Sequence, residues 1–422
     1  MTTIERESTT VVSTATDTRR GAGHQMQAAP QHVCVVGPST RFLSGITYHS
    51  YSTSRALSAH FKVSTVFMRQ LLPAMLYPGK NRVGAAISNL ELPDTIERFD
   101  GVDWYWWPTL FRALRFLARR RPDVLILQWW TGAVLHTYLV LAATARLLGA
   151  RVIIEFHEVQ DPGEASVAWA SKYVDLVAPW LFRLACGYTA HSEHDRKLIA
   201  DRYGLACYPS TVVPVGTYDN YRKGKRWREA PDECCNLLYF GVIRPYKGVD
   251  DLIRAFNAIP PHEINLYWLT VVGETWERWE LPGELIDRSP YRNRITFINR
   301  YVSDDEVEAI FGGADVVVLP YKRASQSGPL HVAMNYGLPV VVTAVGGLVE
   351  SVTTYGYQNT VVTEPADPEA LVAAIRKAAR LRGQQGGAVP GWSLTAERYR
   401  DFLESLQQLS YERRHKMTVR SR

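Results

Sequence analysis

One feature narrows the fold more than any other: an alternation of short apolar runs with helical stretches, which stops once and starts again. Runs rich in Val, Ile and Leu occupy residues 32–36, 63–67, 124–128 and 151–156, each bounded by turn residues or an amphipathic segment. A parallel sheet covered on both faces requires such strands, because neither face meets water. Between 215 and 235 the pattern breaks, and Gly216, Gly224 and a cluster of Lys, Arg and Asp replace the apolar runs. It restarts with a strand expected at 236–240 and a helix from Val249, where Val249, Leu252, Ile253 and Phe256 share one face. Further strands are expected at 266–272, 295–297, 316–319 and 339–342, and a helix at 133–148. Ser303 and Glu306 have the spacing of a capping box. The fold class expected is α/β, with two Rossmann-like βα domains in series facing across a cleft. Open sheets of this kind bind ligands beyond the carboxyl ends of their strands, so the chemistry belongs in the loops there.

A chain of 422 residues exceeds one ordinary domain, which agrees with this division. The expected boundaries are a disordered leader at 1–31, a first domain at 32–215, a linker at 216–235 and a second domain at 236–385. A final helix at 386–410 and a basic tail at 411–422 complete the chain. The leader lacks the apolar h-region of a signal peptide. Residues 124–145 carry no charge and are long enough to span a bilayer, but Gln128, Gly132 and His136 divide them into a buried strand and a helix. Five cysteines without regular spacing suit a reduced compartment and offer no zinc motif. The tail carries Arg413, Arg414, Lys416, Arg420 and Arg422 against Glu412 alone; a frayed, solvated terminus is expected, with contact to anionic lipid or nucleic acid as the alternative. Scattered cations without a recognition-helix motif argue against a DNA-binding protein.

Two segments of the second domain carry chemistry. Residues 239–256 read YFGVIRPYKGVDDLIRAF, which puts Arg244 and Lys247 in the turn between a strand and a helix. Cations there can neutralise charge developing on a departing diphosphate, and the helix N-terminus adds its amides. Ser325, Gln326, Ser327 and Gly328 follow the strand ending LPY, with Pro329 suited to a first helical position and Ser327 or Gly328 to its cap. In the first domain, Gly45 lies in RFLSGI after the first strand, where backbone can approach a phosphate closely, and His157 and Glu158 stand at a strand end among acids. The acid pairs Asp250-Asp251 and Asp304-Asp305 sit at helix starts, where they complement the dipole, and are not taken as metal ligands.

These pieces carry a resemblance. FGVIRPYKG, VVVLPY and AMNYGLPVVVTAVGG resemble the donor-binding domain of family 4 glycosyltransferases, while AHSEHDRKLIADRYG and VVPVGTYDNY are similar to the end of their first domain. WSLTAERYRDF resembles their helix that crosses back to the first domain, and the likeness covers residues 32–410. It implies the GT-B fold, a nucleotide-sugar donor linked to UDP or GDP, transfer with retention of configuration, no metal and no separate cofactor. Donor contacts are then expected from Gly45, Arg244, Lys247, Ser325, Gln326, Ser327, Gly328 and His331, with His157 facing the reacting sugar and Glu158 as its partner. One departure matters. The family places a glutamate at each of two positions occupied here by Ala324 and Val332, which in relatives contact the transferred sugar and the ribose. A catalytically weak sugar-nucleotide-binding protein, or an epimerase of the same fold, is therefore the rival expectation. For the acceptor, Trp104, Trp106 and Trp107 precede a segment with Arg112, Arg115, Arg119, Arg120 and Arg121. Such a segment suits a membrane interface and a lipid-linked acceptor, or an ordinary helix with its arginines in water. A cytoplasmic protein, peripheral on the inner face of the membrane and making polysaccharide or glycolipid, is the expected setting.

Overall fold

The computed structural model describes residues 31–40, 45–70, 90–103, 106–160, 168–218, 221, 224–276, 278–384, 386, 387, 389 and 391–420. The first half runs β1 (His32–Pro38), α1 (Gly45–Leu57), β2 (Lys62–Gln70), β3 (Glu97–Asp103), α2 (Thr109–Arg120), β4 (Val124–Trp129), α3 (Leu135–Leu147), β5 (Arg151–Phe156), α4 (Ala168–Leu184), β6 (Gly187–Ala190), α5 (Glu193–Tyr203) and β7 (Ser210–Val212). Its seven strands form one sheet in the order β3-β2-β1-β4-β5-β6-β7, every pair parallel. The second half runs β8 (Cys235–Phe240), α6 (Val249–Asn257), β9 (Tyr267–Val272), α7 (Leu281–Asp287), β10 (Ile295–Ile298), α8 (Asp304–Gly312), β11 (Val316–Leu319), α9 (Gly328–Tyr336), β12 (Val340–Thr343), α10 (Gly347–Thr354), β13 (Thr360–Thr363) and α11 (Pro368–Ala379). Its six strands are ordered β10-β9-β8-β11-β12-β13, again parallel. Both sheets place β1 or β8 centrally and reverse direction there, so each carries a switch-point crevice at its carboxyl edge.

The Val-, Ile- and Leu-rich runs are the buried central strands. Four strands escaped the sequence: β3, β6, β7 and β13. β3 reads ERFDGVD and is a half-exposed edge strand, while β6 and β7 are only four and three residues long. The expected helix at 133–148 is Leu135–Leu147, entered through a single 3-10 turn. The capping box forms: Ser303 and Glu306 exchange hydrogen bonds at the start of α8. Lys225 to Trp227, within the expected linker, lies against α8, with the Trp227 amide donating to Ala309 O at 2.8 Å.

The last helix, α12 (Trp392–Arg420), returns to the first sheet. Tyr399, Phe402, Leu403 and Leu406 pack against Val33, Val35, Val124, Ile126 and Ile153. Each such burial contributes about 2 kcal/mol, so apolar area fastens the helix in place. At its start the Trp392 indole N–H donates to Thr217 O at 2.7 Å, and its ring lies where a Cβ on Gly216 would come within 2.4 Å. Only glycine allows that crossing. The helical backbone continues through 411–420, so this stretch extends α12 where a frayed end was expected; it holds neither Gly nor Pro to stop a helix. Among the described residues no helix is long and apolar enough to cross a membrane.

Candidate active site between the two sheets

β4 and β5 are paired so that Gln128 lies beside Glu155. Both are fully buried, and an acid inside the apolar run RVIIEF needs partners. It has them. His49, on α1, donates from Nε2 to Glu155 Oε1 at 2.8 Å, and Gln128 Nε2 donates to Oε2 at 3.2 Å. Burial alone would push the Glu155 carboxyl up; His49, together with His191 and Tyr399, outweighs it and holds the group below its ordinary value.

His157 follows directly after β5 and His191 after β6. The His191 Nδ1 lies 2.9 Å from Val213 O, which can only accept, so His191 carries its proton there and offers a lone pair at Nε2. That lone pair faces His157 Nδ1 at 3.1 Å. His157 therefore donates through Nδ1 and is left with a bare acceptor at Nε2, a buried atom without a partner. Burial depresses both rings, His157 well below its ordinary value and His191 down to about 4, with His49 adding to the effect. His49, Glu155, His157 and His191 each offer a ligand atom within 4.8 Å of the others, the one such group among the described residues. Hydrogen bonds engage all four side chains and leave His157 Nε2 open, so the arrangement is a polar network that orients His157.

The second half meets this network directly. Ser325 Oγ donates to Glu158 Oε2 at 3.0 Å, and Gln326 Nε2 donates to His191 O at 3.4 Å. Ser351 Oγ donates to Gln326 Oε1 at 2.9 Å, and His331 Nε2 lies 3.4 Å from the same oxygen. Burial pushes the Glu158 carboxyl up to about 7, partly offset by Lys247 and by the Ser325 hydroxyl. Lys247 sits in the turn between β8 and α6 with Nζ 3.7 Å from the centre of the Tyr321 ring, and burial lowers its pKa. Arg244, in the same turn, stacks over Tyr246 and Trp276. Gly248 ends that turn at φ +66, and a Cβ there would strike Pro320 O at 1.9 Å.

Gly45 and Gly328 begin α1 and α9, one from each half, and both approach Tyr218. Its hydroxyl donates to Gly45 O at 3.4 Å and would lie 3.2 Å from a Cβ on Gly328. Two helix N-termini thus lie on either side of the Tyr218 hydroxyl. Ser327 caps α9 as expected, with Pro329 in its first turn. Its hydroxyl is committed inward, 3.1 Å from Tyr321 OH. His331 is buried with Nδ1 unpartnered and its pKa lowered to about 3, mainly by burial. Asp250 and Asp251 open α6 and bind Lys322 and Arg254. Residues 41–44, 104 and 161–164, parts of the loops singled out above, lie outside the described residues.

Comparison with known proteins fits this geometry. Residues 44–216 match the family model for the glycosyl transferase 4-like domain, and residues 234–380 match that for glycosyl transferases group 1. The chain is a family 4 glycosyltransferase of the GT-B fold. The 2-deoxystreptamine glucosyltransferase of Streptomyces kanamyceticus is 24% identical over 308 residues, covering 68% of this chain and 79% of its own. The O-antigen chain mannosyltransferase B of Escherichia coli is 29% identical over 140 residues, 33% of this chain and 35% of its own length. The chain therefore spans only about a third of that relative. Among solved structures, sucrose-phosphate synthase from Thermosynechococcus elongatus superposes with a TM-score of 0.60 at 15% identity, covering 93% of this chain and all of the other. An Anabaena protein in complex with UDP gives 0.58 at 14% identity, covering 92% and 100%.

In this glycosyltransferase the positions of the family glutamates are buried: Ala324 opens the loop before α9 and Val332 faces the core from α9. Carboxylates reach the start of that loop from the opposite half: Glu158 accepts from Ser325 Oγ, and Asp195 also bonds Ser325. Sequence reasoning named Glu158 but not His49, Glu155, His191 or Tyr218. A charged residue within a buried strand and a histidine at each of two strand ends were the available signals.

Proposed function

We propose that the enzyme transfers a hexose from a UDP- or GDP-linked donor to a glycan or lipid-linked acceptor, with retention, in polysaccharide or glycolipid synthesis. The observation that supports this most is the meeting of Glu158, next to His157 in the first half, with Ser325 and the cation Lys247 of the second half. Lys247 and Arg244 stabilise the departing diphosphate. His157 accepts a hydrogen bond from a sugar hydroxyl through its bare Nε2. In this reading the departing phosphate takes the acceptor proton, and the leaving and attacking groups share one face of the sugar.

Relatives support the donor and acceptor classes. One relative is a GDP-mannose:glycolipid 4-beta-D-mannosyltransferase of Xanthomonas campestris, 30% identical over 106 residues, and the Anabaena structure was also solved with UDP-glucose. The β-linkage in the mannosyltransferase's name is inversion of an α-linked donor and lends retention no support. No metal is required in this reading, because Arg244 and Lys247 supply the positive charge. Catalysis is placed in the cytoplasm at the inner membrane face. The test is transfer from UDP-glucose and GDP-mannose to a membrane extract, with the anomeric configuration of the product read by proton NMR. An α-linked product from these α-linked donors supports the proposal. A β-linked product rejects retention. Donor binding without transfer, with Ala324 and Val332 in the glutamate positions, returns the weak-binding reading.

A further inference from the structure

The helical layer α2, α3 and α4 covers one face of the first sheet and exposes what such a layer ordinarily hides. Eleven large apolar side chains are exposed among the described residues, and seven belong to these helices or to the two residues before Pro108 and α2. They include every exposed tryptophan among the described residues. On α4, Val174, Ala178 and Leu181 face the core, while Trp169, Leu176 and Trp180 are 75%, 70% and 56% exposed. Trp169, Lys172, Leu176, Trp180 and Arg183 recur at helical spacing, so α4 presents a second apolar stripe outward with cations along it. Arg183 stacks on Trp180 at 4.6 Å. Trp107 and Phe111, at the start of α2, are also exposed. His136 of α3 joins the two ends of the surface, its ring 5.4 Å from that of Trp106 and its Nδ1 3.2 Å from Tyr173 OH.

Charge identifies the occupant. The three helices carry seven Lys or Arg and a single acid, Asp175, an excess equal to the +6 of the whole chain. Asp175 is held by Arg202 at 2.5 Å, and of the seven cations Arg120, at the end of α2, is itself paired with Glu97. Tryptophan and leucine interleaved with arginine and lysine, on a helix lying flat against a domain, match the apolar and anionic layers of a lipid interface. We propose that this face seats on an anionic lipid bilayer. Each helix starts at the carboxyl edge of the sheet, so Trp107, Phe111 and Trp169 border the edge that carries His157. A bilayer held there presents a lipid-borne acceptor at the mouth of the cleft. The purpose rests on the proposed lipid-linked acceptor, but the surface and its test do not.

The experiment is sedimentation of the full chain with vesicles of phosphatidylglycerol and phosphatidylcholine, and with phosphatidylcholine alone, without donor. The expected result is capture by the anionic vesicles, at least tenfold weaker with neutral ones. A Trp169→Ala, Leu176→Ala, Trp180→Ala variant should lose at least tenfold in capture while its nucleotide-sugar binding and thermal midpoint stay within error. Arg112→Glu, Arg115→Glu should lose capture and leave the residual binding less sensitive to salt. Full capture of the triple variant would assign binding to another part of the chain, such as α12, and overturn the proposal. So would no capture of the native chain, or a dimer in sedimentation equilibrium that the triple variant dissolves.

Discussion

Replacing Glu158 by glutamine keeps the shape of the side chain and removes its proton. Burial raises this carboxyl from 4.5 to about 7, so at neutral pH it is close to half protonated. A nucleotide sugar brings a diphosphate to Lys247, the cation that presently offsets the burial of Glu158. One net negative charge roughly 10 Å away, at an effective dielectric of about 20, adds ~1.7 kcal/mol, slightly more than one pKa unit. A rise of one unit takes the protonated fraction at pH 7.5 from about a quarter to about three quarters, an uptake of about half a proton per donor bound. The sign follows from linkage: a group that gains protons on binding makes binding weaker as pH rises, here between about pH 6.5 and 8.5. Calorimetric titration with UDP-glucose or GDP-mannose, in two buffers of different ionisation enthalpy, measures the uptake directly. The native chain should take up about half a proton and the Glu158→Gln variant essentially none. Equal uptake in both, or none in either, would refute the placement of Glu158 against the bound diphosphate.

Three further outcomes follow from the packing. A Cβ on Gly347 would meet Ser325 O at 2.2 Å and Gln326 Nε2 at 2.8 Å, so Gly347→Ala must displace the donor loop by about 1 Å and lower kcat/KM about 100-fold. Gly149→Ala, at φ +89 where any side chain strains the backbone but with nothing within 4 Å of the new Cβ, should leave kcat/KM unchanged; equal loss in both would point to stability alone. His191→Leu leaves Val213 O and His157 Nδ1 without partners, which costs about 2 kcal/mol in denaturant unfolding and lowers kcat at least tenfold. A variant as stable and active as the native chain would contradict the tautomer assignment. Nucleotide release should persist after dialysis against EDTA, with no stoichiometric zinc by elemental analysis; one zinc per chain would make His49, Glu155, His157 and His191 a metal centre.

Much of the fold was legible because buried parallel strands have a strong signature. Runs such as 124–127 and 316–319 are apolar at every position, and that needs no tertiary knowledge. β3 was not legible, because an edge strand alternates weakly and includes Asp100 and Gly101. In the site, Arg244 and Lys247 could be placed from their strand-turn-helix setting, and Ser327 from its cap. What sequence could not convey was convergence. His49, Glu155 and His191 lie on three elements and meet only through sheet order and the docking of α1. Nor could sequence show that Glu158 reaches Ser325 from the other half, or that the outer side of α4 is apolar while its inner side is too.

The central claim is that this cleft breaks the bond between a sugar and a nucleoside diphosphate, with Arg244 and Lys247 holding the diphosphate. The most direct measurement is nucleoside diphosphate release from a panel of UDP- and GDP-sugars, by the native chain and by an Arg244→Ala, Lys247→Ala variant of unchanged thermal midpoint. The account predicts release from one donor, stimulated by membrane extract and lowered at least a thousandfold in the variant, since two charge-stabilising contacts each contribute roughly 2 kcal/mol or more. Release that survives the double substitution would contradict it, as would failure of the native chain to bind any donor.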